Sequence, residues 1–427
     1  MKQNIFKVPL VAMAWAVTAV SPLNAAGPSP AATNQLTLDE LVKQVVENNP
    51  ELNFYRAEIA AAKGERRGAG ALPNPELTVG GGYKGVRAGG ILSEGTAWSV
   101  SLAQPIEWPG RLSLRKAIAD RQVALAELGL AQFRFTLRQR AGALGYAVLA
   151  AQQKAAAANE IATRFNTLRD VLVQRDPAGV TPQLEIGILE GTALTQQRRA
   201  SDAAIEERKA LAALNQLRGV PAQTPLKVAG ELPPLPAARP LAELLDAART
   251  NNFDLRARAA ELEKQGFKVD LARNERKPVI TVAPYVSQER AGDRETQAGL
   301  SLSIPLGLNS AAKGREEAER ARLTQAEASL GTAQRDVERK VVEAALQYEV
   351  KRAELARWDG DPAVKFRANA ELADRHYRLG AVPIATYLEA QKTFLEVLDT
   401  LTDTRREAWE AWLELETLTG LPGEEGK

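Results

Sequence analysis

The sequence predicts a mainly α fold with a small β part, in which one unit, a β-hairpin followed by a very long helical hairpin, is present twice. Three observations carry this. The chain repeats itself: Asn48-Asn49-Pro50-Glu51-Leu52 returns as Asn251-Asn252-Phe253-Asp254-Leu255, and Pro75-Glu76-Leu77-Thr78-Val79 as Pro278-Val279-Ile280-Thr281-Val282. Ser101-Leu102 with Pro105 returns as Ser301-Leu302 with Pro305, and Leu217-Arg218-Gly219-Val220-Pro221 as Leu418-Thr419-Gly420-Leu421-Pro422, so a unit of roughly 185 residues has been duplicated with little change in length. Within each copy the apolar period switches from 3.6 to 2 after a proline-rich breaker. A helical pattern of about 64 residues without proline then follows in the first copy.

Taken in order, residues 1 to 26 read as an export signal, with Lys2 and Lys7 ahead of an apolar Val8 to Val20 and small residues at Ala25-Ala26. About 13 apolar residues are too few to span a bilayer. Residues 27 to 35 read as loose, and the first repeat is expected over 27–221. Leu38, Leu41, Val42, Val45 and Val46 predict a short helix stopping near Asn49-Pro50, and a second helix runs over about 51–71 to Pro73-Asn74-Pro75. Its copy runs from about 254 to Lys277-Pro278.

The strands are expected at about 76–83 and 96–104, and in the copy at about 279–286 and 297–304. Leu77, Val79, Trp98, Val100, Leu102, Ile280, Val282, Leu300, Leu302 and Ile304 fall on one face. The alternating positions Thr78, Gly80, Gly82, Ser99, Ser101, Thr281, Ser301 and Ser303 are small or polar. A strand between lipid and a watery lumen needs this arrangement, so the ten apolar residues are candidates to face lipid. The segments 84–95 and 287–296, rich in glycine or charge, read as turns facing solvent. Four strands are too few, because the smallest closed membrane barrels use about eight. Strand edges left open in hydrocarbon are not tolerated, so several chains must complete the wall.

The long helix is expected over about 112–175. Leu130, Leu137, Leu144, Ala151, Ala158, Phe165 and Leu172 recur every seventh position, with Phe133, Val148, Ala155 and Leu168 between them, which is a coiled-coil seam rich in alanine. A turn at Asp176-Pro177-Ala178-Gly179 sends the chain back as a helix over about 183–218. The return helix and the helix before the strands together nearly match the long one, so the two short helices are expected to stack end to end beside it. The second repeat, 241–422, has a long helix over about 312–378, which Pro362 should kink or break. A turn at Leu379-Gly380-Ala381 and a return helix over about 384–419 follow. The Pro-rich stretch 222–240 reads as a linker along the surface, and 423–427 as a tail.

Composition excludes much chemistry. There is no cysteine, both methionines lie in the signal, and His376 is the single histidine, so soft-metal chelation and Cys/His nucleophilic pairs are out. No catalytic constellation, cofactor site or resident metal site is found, and the chain does not read as an enzyme. Gly80-Gly81-Gly82 sits in a strand pattern and lacks the Lys-Ser/Thr of a phosphate loop. A formal net charge of +2 offers nucleic acid no general attraction. The turn regions stand apart. Glu185 and Glu190 follow the first turn and Glu389 the second, and in a closed ring such carboxylates repeat once per chain and favour cations.

The order helix, hairpin, long helix, turn, helix, duplicated, resembles the TolC-like outer membrane factors of tripartite export systems. The resemblance rests on Leu72-Pro73-Asn74-Pro75-Glu76-Leu77, Gln104-Pro105-Ile106-Glu107-Trp108-Pro109-Gly110-Arg111, Tyr377-Arg378-Leu379-Gly380 and the paired endings at 217–221 and 418–422. The Pro-Asn-Pro and Gln-Pro-Ile-Glu-Trp-Pro-Gly-Arg segments look most like the branch serving cobalt–zinc–cadmium efflux. It implies a homotrimer with a 12-stranded outer-membrane barrel on a periplasmic helical tunnel, docked to an adaptor (membrane fusion) protein and a proton-driven inner-membrane pump of the resistance-nodulation-division type. It further implies that Tyr377 is a tip tyrosine, that Glu185 matches a tip aspartate and Glu389 a constricting carboxylate, and that the turns at Gly179-Val180 and Arg378-Leu379-Gly380 touch the adaptor. Val382 and Thr386 stand where the family's pattern has a locking arginine and a second carboxylate, so a locking salt bridge is not expected. The expected function is a passive exit duct, with divalent heavy-metal cations as substrate. A duct for drugs or secreted polypeptides and a periplasmic coiled-coil scaffold without a pore are the alternatives.

Overall fold

The computed structural model describes residues 35–88, 91–175, 183–230, 234–305, 311–358 and 361–421; the expected export signal, the turn holding Gly179 and Val180, and the tail lie outside them. After a three-residue strand β1 (Gln35–Thr37), helix α1 (Leu38–Asn48) opens with a capping box. The Thr37 hydroxyl accepts from the Glu40 N–H at 3.3 Å while the Glu40 carboxylate accepts from the Thr37 N–H at 3.0 Å, satisfying two donors that a helix start leaves open. Its apolar stripe, Leu41 and Val45, is fully buried. Helix α2 (Leu52–Ala69), strands β2 (Glu76–Ala88) and β3 (Ile91–Ile106), helix α3 (Arg111–Arg175) and helix α4 (Gln183–Arg218) follow. After a short strand β4 (Lys227–Ala229), the second copy runs α5 (Leu241–Asn251), α6 (Phe253–Glu275), β5 (Ile280–Ala291), β6 (Asp293–Ser303), α7 (Ala311–Ala356), α8 (Pro362–Arg378) and α9 (Ile384–Thr419).

The end-to-end stacking is present in both copies and is fastened in the same way. The buried Asn49, between α1 and α2, donates from Nδ2 to the Leu217 carbonyl near the end of α4 at 2.9 Å, while its Oδ1 accepts from the Glu51 N–H. Asn252 repeats this on the Leu418 carbonyl near the end of α9 at 2.8 Å, with Oδ1 accepting from the Leu255 N–H. The return helices then stop at Gly219 (φ 71°) and Gly420 (φ 64°), the left-handed conformation that glycine adopts without penalty. The 36 residues of α4 and the 18 of α2 thus lie in line beside the 65 of α3.

The break expected at Pro362 within 312–378 is present: Pro362 lacks an N–H and takes the first position of a new helix, α8, where Asp361 caps the Ala363 N–H at 3.1 Å. Two other expectations need correction. The segments 84–95 and 287–296 are largely strand, since pairing continues to Ala88↔Ile91 and Ala291↔Asp293; only the apolar alternation stops there, and periodicity reports nothing else. The Pro-rich stretch 222–240, expected as a linker along the surface, is partly built into the core: β4 pairs in parallel with β1, Leu226 and Val228 are buried, and the Pro236 carbonyl accepts from the Tyr348 hydroxyl. A three-residue pair is too short to show a period.

Two cores flank the junctions. In the first copy Leu41, Val45, Leu137, Ala141, Val148, Leu214, Leu226 and Val228 pack together; in the second, Leu244, Leu255, Val337, Val341, Tyr348, Trp412 and Leu415 do. Helix α3 also packs on α6 and α9, joining the copies. Here the Gln139 amide donates to the Glu416 carboxylate at 2.7 Å across that join. Glu416 is 8% exposed, and burial pushes its carboxyl above the ordinary value of 4.5, partly offset by the Gln139 hydrogen bond.

A Cβ at Gly420 would lie 2.7 Å from the Asn251 carbonyl in a left-handed backbone, so Gly420→Ala should destabilise by about 1–3 kcal/mol. Gly64→Ala, mid-helix with nothing near its Cβ, should stabilise by about 0.5–1 kcal/mol, both read from the denaturation midpoint of the helical signal. The native Glu416 carboxyl binds its proton more tightly than the unfolded one, so stability falls as pH rises from 4.5 through the elevated native value. Glu416→Gln should accordingly raise the thermal midpoint above that window and leave it unchanged below pH 4.5.

Candidate functional site

The four long strands form one antiparallel sheet in the order β2-β3-β5-β6. Directly paired residues share a face, and the register pairs Leu77 with Leu102, Val79 with Val100, Val100 with Val286, Ile106 with Ile280, Val282 with Leu302 and Pro284 with Leu300. All nine expected apolar residues within the strands therefore lie on one face, and Ile304 follows directly after β6. Most are exposed, Leu300 by 68% and Val79 by 70%, while Ile280 and Val282 are half-buried. The other face carries Thr78, Gly80, Ser99, Ser101, Thr281, Ser287, Ser301 and Ser303. On it Lys84, opposite Gly95, reaches across β3 to Glu289 and, at 3.3 Å, to Glu295. A Cβ at Gly95 would collide with the backbone carbonyl of Arg290 on β5. Among the described residues no helix is long and apolar enough to cross a membrane.

At the opposite end of the long helices lies the turn between α8 and α9. Gly380 (φ 74°) donates to the Tyr377 carbonyl at 2.9 Å and Ala381 to the His376 carbonyl at 2.9 Å, a Schellman motif that needs a left-handed residue at 380. It leaves Leu379 81% exposed at the extreme of the turn. Arg378 is held back along α8 by Asp374 at 2.9 Å. Pro383 then starts α9.

Tyr377 faces inward. Its ring stacks on Tyr387 of α9 at 5.2 Å between centroids and 15° between planes, and Tyr387 meets Phe165 of α3 at 5.4 Å. Burial raises the Tyr377 phenol above its ordinary range, and the nearby Glu185 carboxylate of α4 adds to the shift. Tyr377 thus lies within electrostatic reach of Glu185. Glu389 stands apart: exposed, two residues past Tyr387, and without an ion pair among the described residues; Glu190 is likewise exposed and unpaired. Among those residues no group of three or more His, Asp or Glu converges to hold a metal ion.

Sequence reasoning missed Tyr387, which is fully buried, and a charge lattice just above it. Arg367 of α8 binds Glu160 of α3 at 2.7 Å, and Arg164 of α3 reaches Glu371 of α8 at 3.7 Å, tying the two helical hairpins together. Two tyrosines flanking the Gly380 turn were the available signal for the aromatic stack. The Tyr387 hydroxyl is buried and meets no hydrogen-bond partner among the described residues. Tyr387→Phe should therefore be neutral or stabilising by about 1 kcal/mol, whereas Tyr387→Ala should cost about 3–5 kcal/mol, checked by denaturant titration.

Comparison with known proteins agrees with this geometry. Among solved structures the chain is similar to CusC, whose structures concern folding and transmembrane channel formation, at 15% identity and TM-score 0.70, over 91% of this chain and 92% of that one. It is similar to the CmeC outer membrane channel of Campylobacter jejuni at 12% identity and TM-score 0.74, over 96% and 94%. It is also similar to the open MtrE outer membrane channel of Neisseria gonorrhoeae at 16% identity and TM-score 0.67, over 90% and 88%. No curated protein matches at a significant level. A family model described as outer membrane efflux protein matches residues 41–220 and 244–421, both repeats of the chain, which therefore belongs to the outer membrane efflux protein family of channels.

Proposed function

We propose that three copies of this chain form the exit duct of a tripartite efflux assembly, with a 12-stranded barrel in the outer membrane standing on a helical tunnel in the periplasm. The observation that carries this reading is the one-sided sheet with two long unpaired edges, β2 and β6. Each edge presents a row of backbone donors and acceptors, and pairing β6 of one copy with β2 of the next satisfies them in a closed ring. The apolar face then meets lipid and the serine, threonine and glycine face lines a wet lumen. Transport through it is passive, driven by a proton-driven inner-membrane pump of the resistance-nodulation-division type.

The tip serves as gate and docking end in this reading. The exposed Leu379 between Arg378 and Gly380 offers the adaptor protein a small apolar contact, and the Gly179-Val180 turn serves in the same way. Closure rests on the packing of Tyr377 and Tyr387, because Val382 and Thr386 supply no locking ion pair. Glu185 and Glu389, repeated three times around the axis, make the opening favour cations without chelating them. Divalent heavy-metal cations suit such an opening, since a site that binds weakly lets its ion leave.

In planar bilayers the purified protein should form cation-preferring channels, and protein that assembles yet never conducts would favour the scaffold alternative. Glu389→Gln should lower cation over anion selectivity by about two- to fivefold without changing assembly. Unchanged selectivity would remove Glu389 from the constriction. Deleting the gene should reduce tolerance to zinc, cobalt or cadmium more than to drugs, and the reverse result would reassign the substrate.

A further inference from the structure

We propose that the membrane-facing side of the β5–β6 hairpin carries a binding site for the phosphate groups of outer-leaflet lipids, built from Arg290 and Arg294. The argument rests on the reading that the apolar sheet face meets lipid, and it starts from the order of the cross-strand rows on that face. Ile106 pairs with Ile280, Val282 with Leu302, Pro284 with Leu300 and Val286 with Ala298. Trp98 and Gln288 follow as a pair, with Thr296 opposite Gln288. From Ile280 to Gln288 the strand advances about 27 Å, or about 20 Å of height at a barrel tilt near 40°, close to the apolar band of an outer-membrane barrel. Trp98 ends the apolar rows, where an aromatic girdle belongs.

One row further out Tyr83 pairs with Thr96, and Arg290 pairs with Arg294. Like charges directly opposite on one face repel, and neither arginine has an ion-pair partner among the described residues. Strand alternation explains why: Glu289, Asp293 and Glu295 point to the other face, where Lys84 binds Glu289 and Glu295. Glu94 shares the arginine face, but accepts a hydrogen bond from the Tyr83 hydroxyl at 2.5 Å. Two guanidinium forks without an internal anion, one step above the girdle, lie at the depth of lipid headgroups. Phosphate accepts the bidentate hydrogen bonds that a guanidinium offers.

The test uses the full-length protein in phosphatidylcholine nanodiscs doped with lipid A, whose two phosphates make it the probe. Retained lipid A is counted by native mass spectrometry after partial delipidation. Arg290→Gln with Arg294→Gln should retain roughly tenfold less than the parent, and Arg290→Lys with Arg294→Lys should fall between them. Because the chain has no cysteine, a spin label on Leu300→Cys reports independently whether the sheet face lies in hydrocarbon. A label in hydrocarbon with unchanged lipid A retention overturns the arginine site alone; a label in water overturns the lipid-facing reading as well. Should the double glutamine variant fail to assemble, Arg294→Gln alone is read by the same criterion, and unchanged retention again overturns the proposal.

Discussion

An exposed backbone edge is the constraint on which the molecule depends. The sheet ends in β2 on one side and β6 on the other, each a long row of amides and carbonyls beside an apolar face. In water such an edge is solvated, but in hydrocarbon every unpaired group costs several kcal/mol. A chain with four strands therefore has no stable state of its own inside a membrane, and its oligomeric form follows from hydrogen-bond accounting.

The helical part answers a different demand, which is length. Helix α3 alone, with 65 residues at 1.5 Å each, spans about 98 Å. Holding two shorter helices in line beside it requires a junction that neither bends nor slips. Asn49 and Asn252 each satisfy a carbonyl near the end of one helix and an amide at the start of the next, with Gly219 and Gly420 turning the chain away. Duplication then places the same joint twice, so the two coiled coils share a level. The copies diverge where Pro362 divides the second long helix, just above the charge lattice that ties α8 to α3.

Charge is distributed by face and by end. In the β5–β6 hairpin, alternation sends carboxylates to one face and arginines to the other, so a strand two residues wide in its period separates two sets of charges. At the far end Glu190 and Glu389 have no ion-pair partner among the described residues, while carboxylates a few turns higher are engaged in holding the helical hairpins together. Ion pairs between half-exposed groups stabilise little. Their position between α3 and α8 matters more than their strength, because it fixes how the two hairpins meet above the Tyr377 and Tyr387 stack.

Period and length were legible in the chain because both are local. Alternation in Trp98-Val100-Leu102 and Leu300-Leu302 marks a two-faced strand, the sevenfold spacing from Leu130 to Phe165 marks a coil, and the repeated Asn48-Asn49 and Gly219-Val220-Pro221 landmarks mark duplication. Local signals stop where the apolar pattern stops. The strand ends beyond Tyr83 and Gln288 pair as regularly as the rest, but alternate charge and glycine and so read as turns. The β1–β4 pair joins residues nearly two hundred positions apart through three rungs, and Tyr387 finds Tyr377 and Phe165 only once three helices converge. The sequence by itself determined the repeat, the two-faced strands and the helix lengths, since each depends on neighbours a few residues away. Tertiary structure alone decided the long-range joints, the aromatic stack and the matching of Gln139 to Glu416, because these depend on which surfaces meet across the duplicated halves.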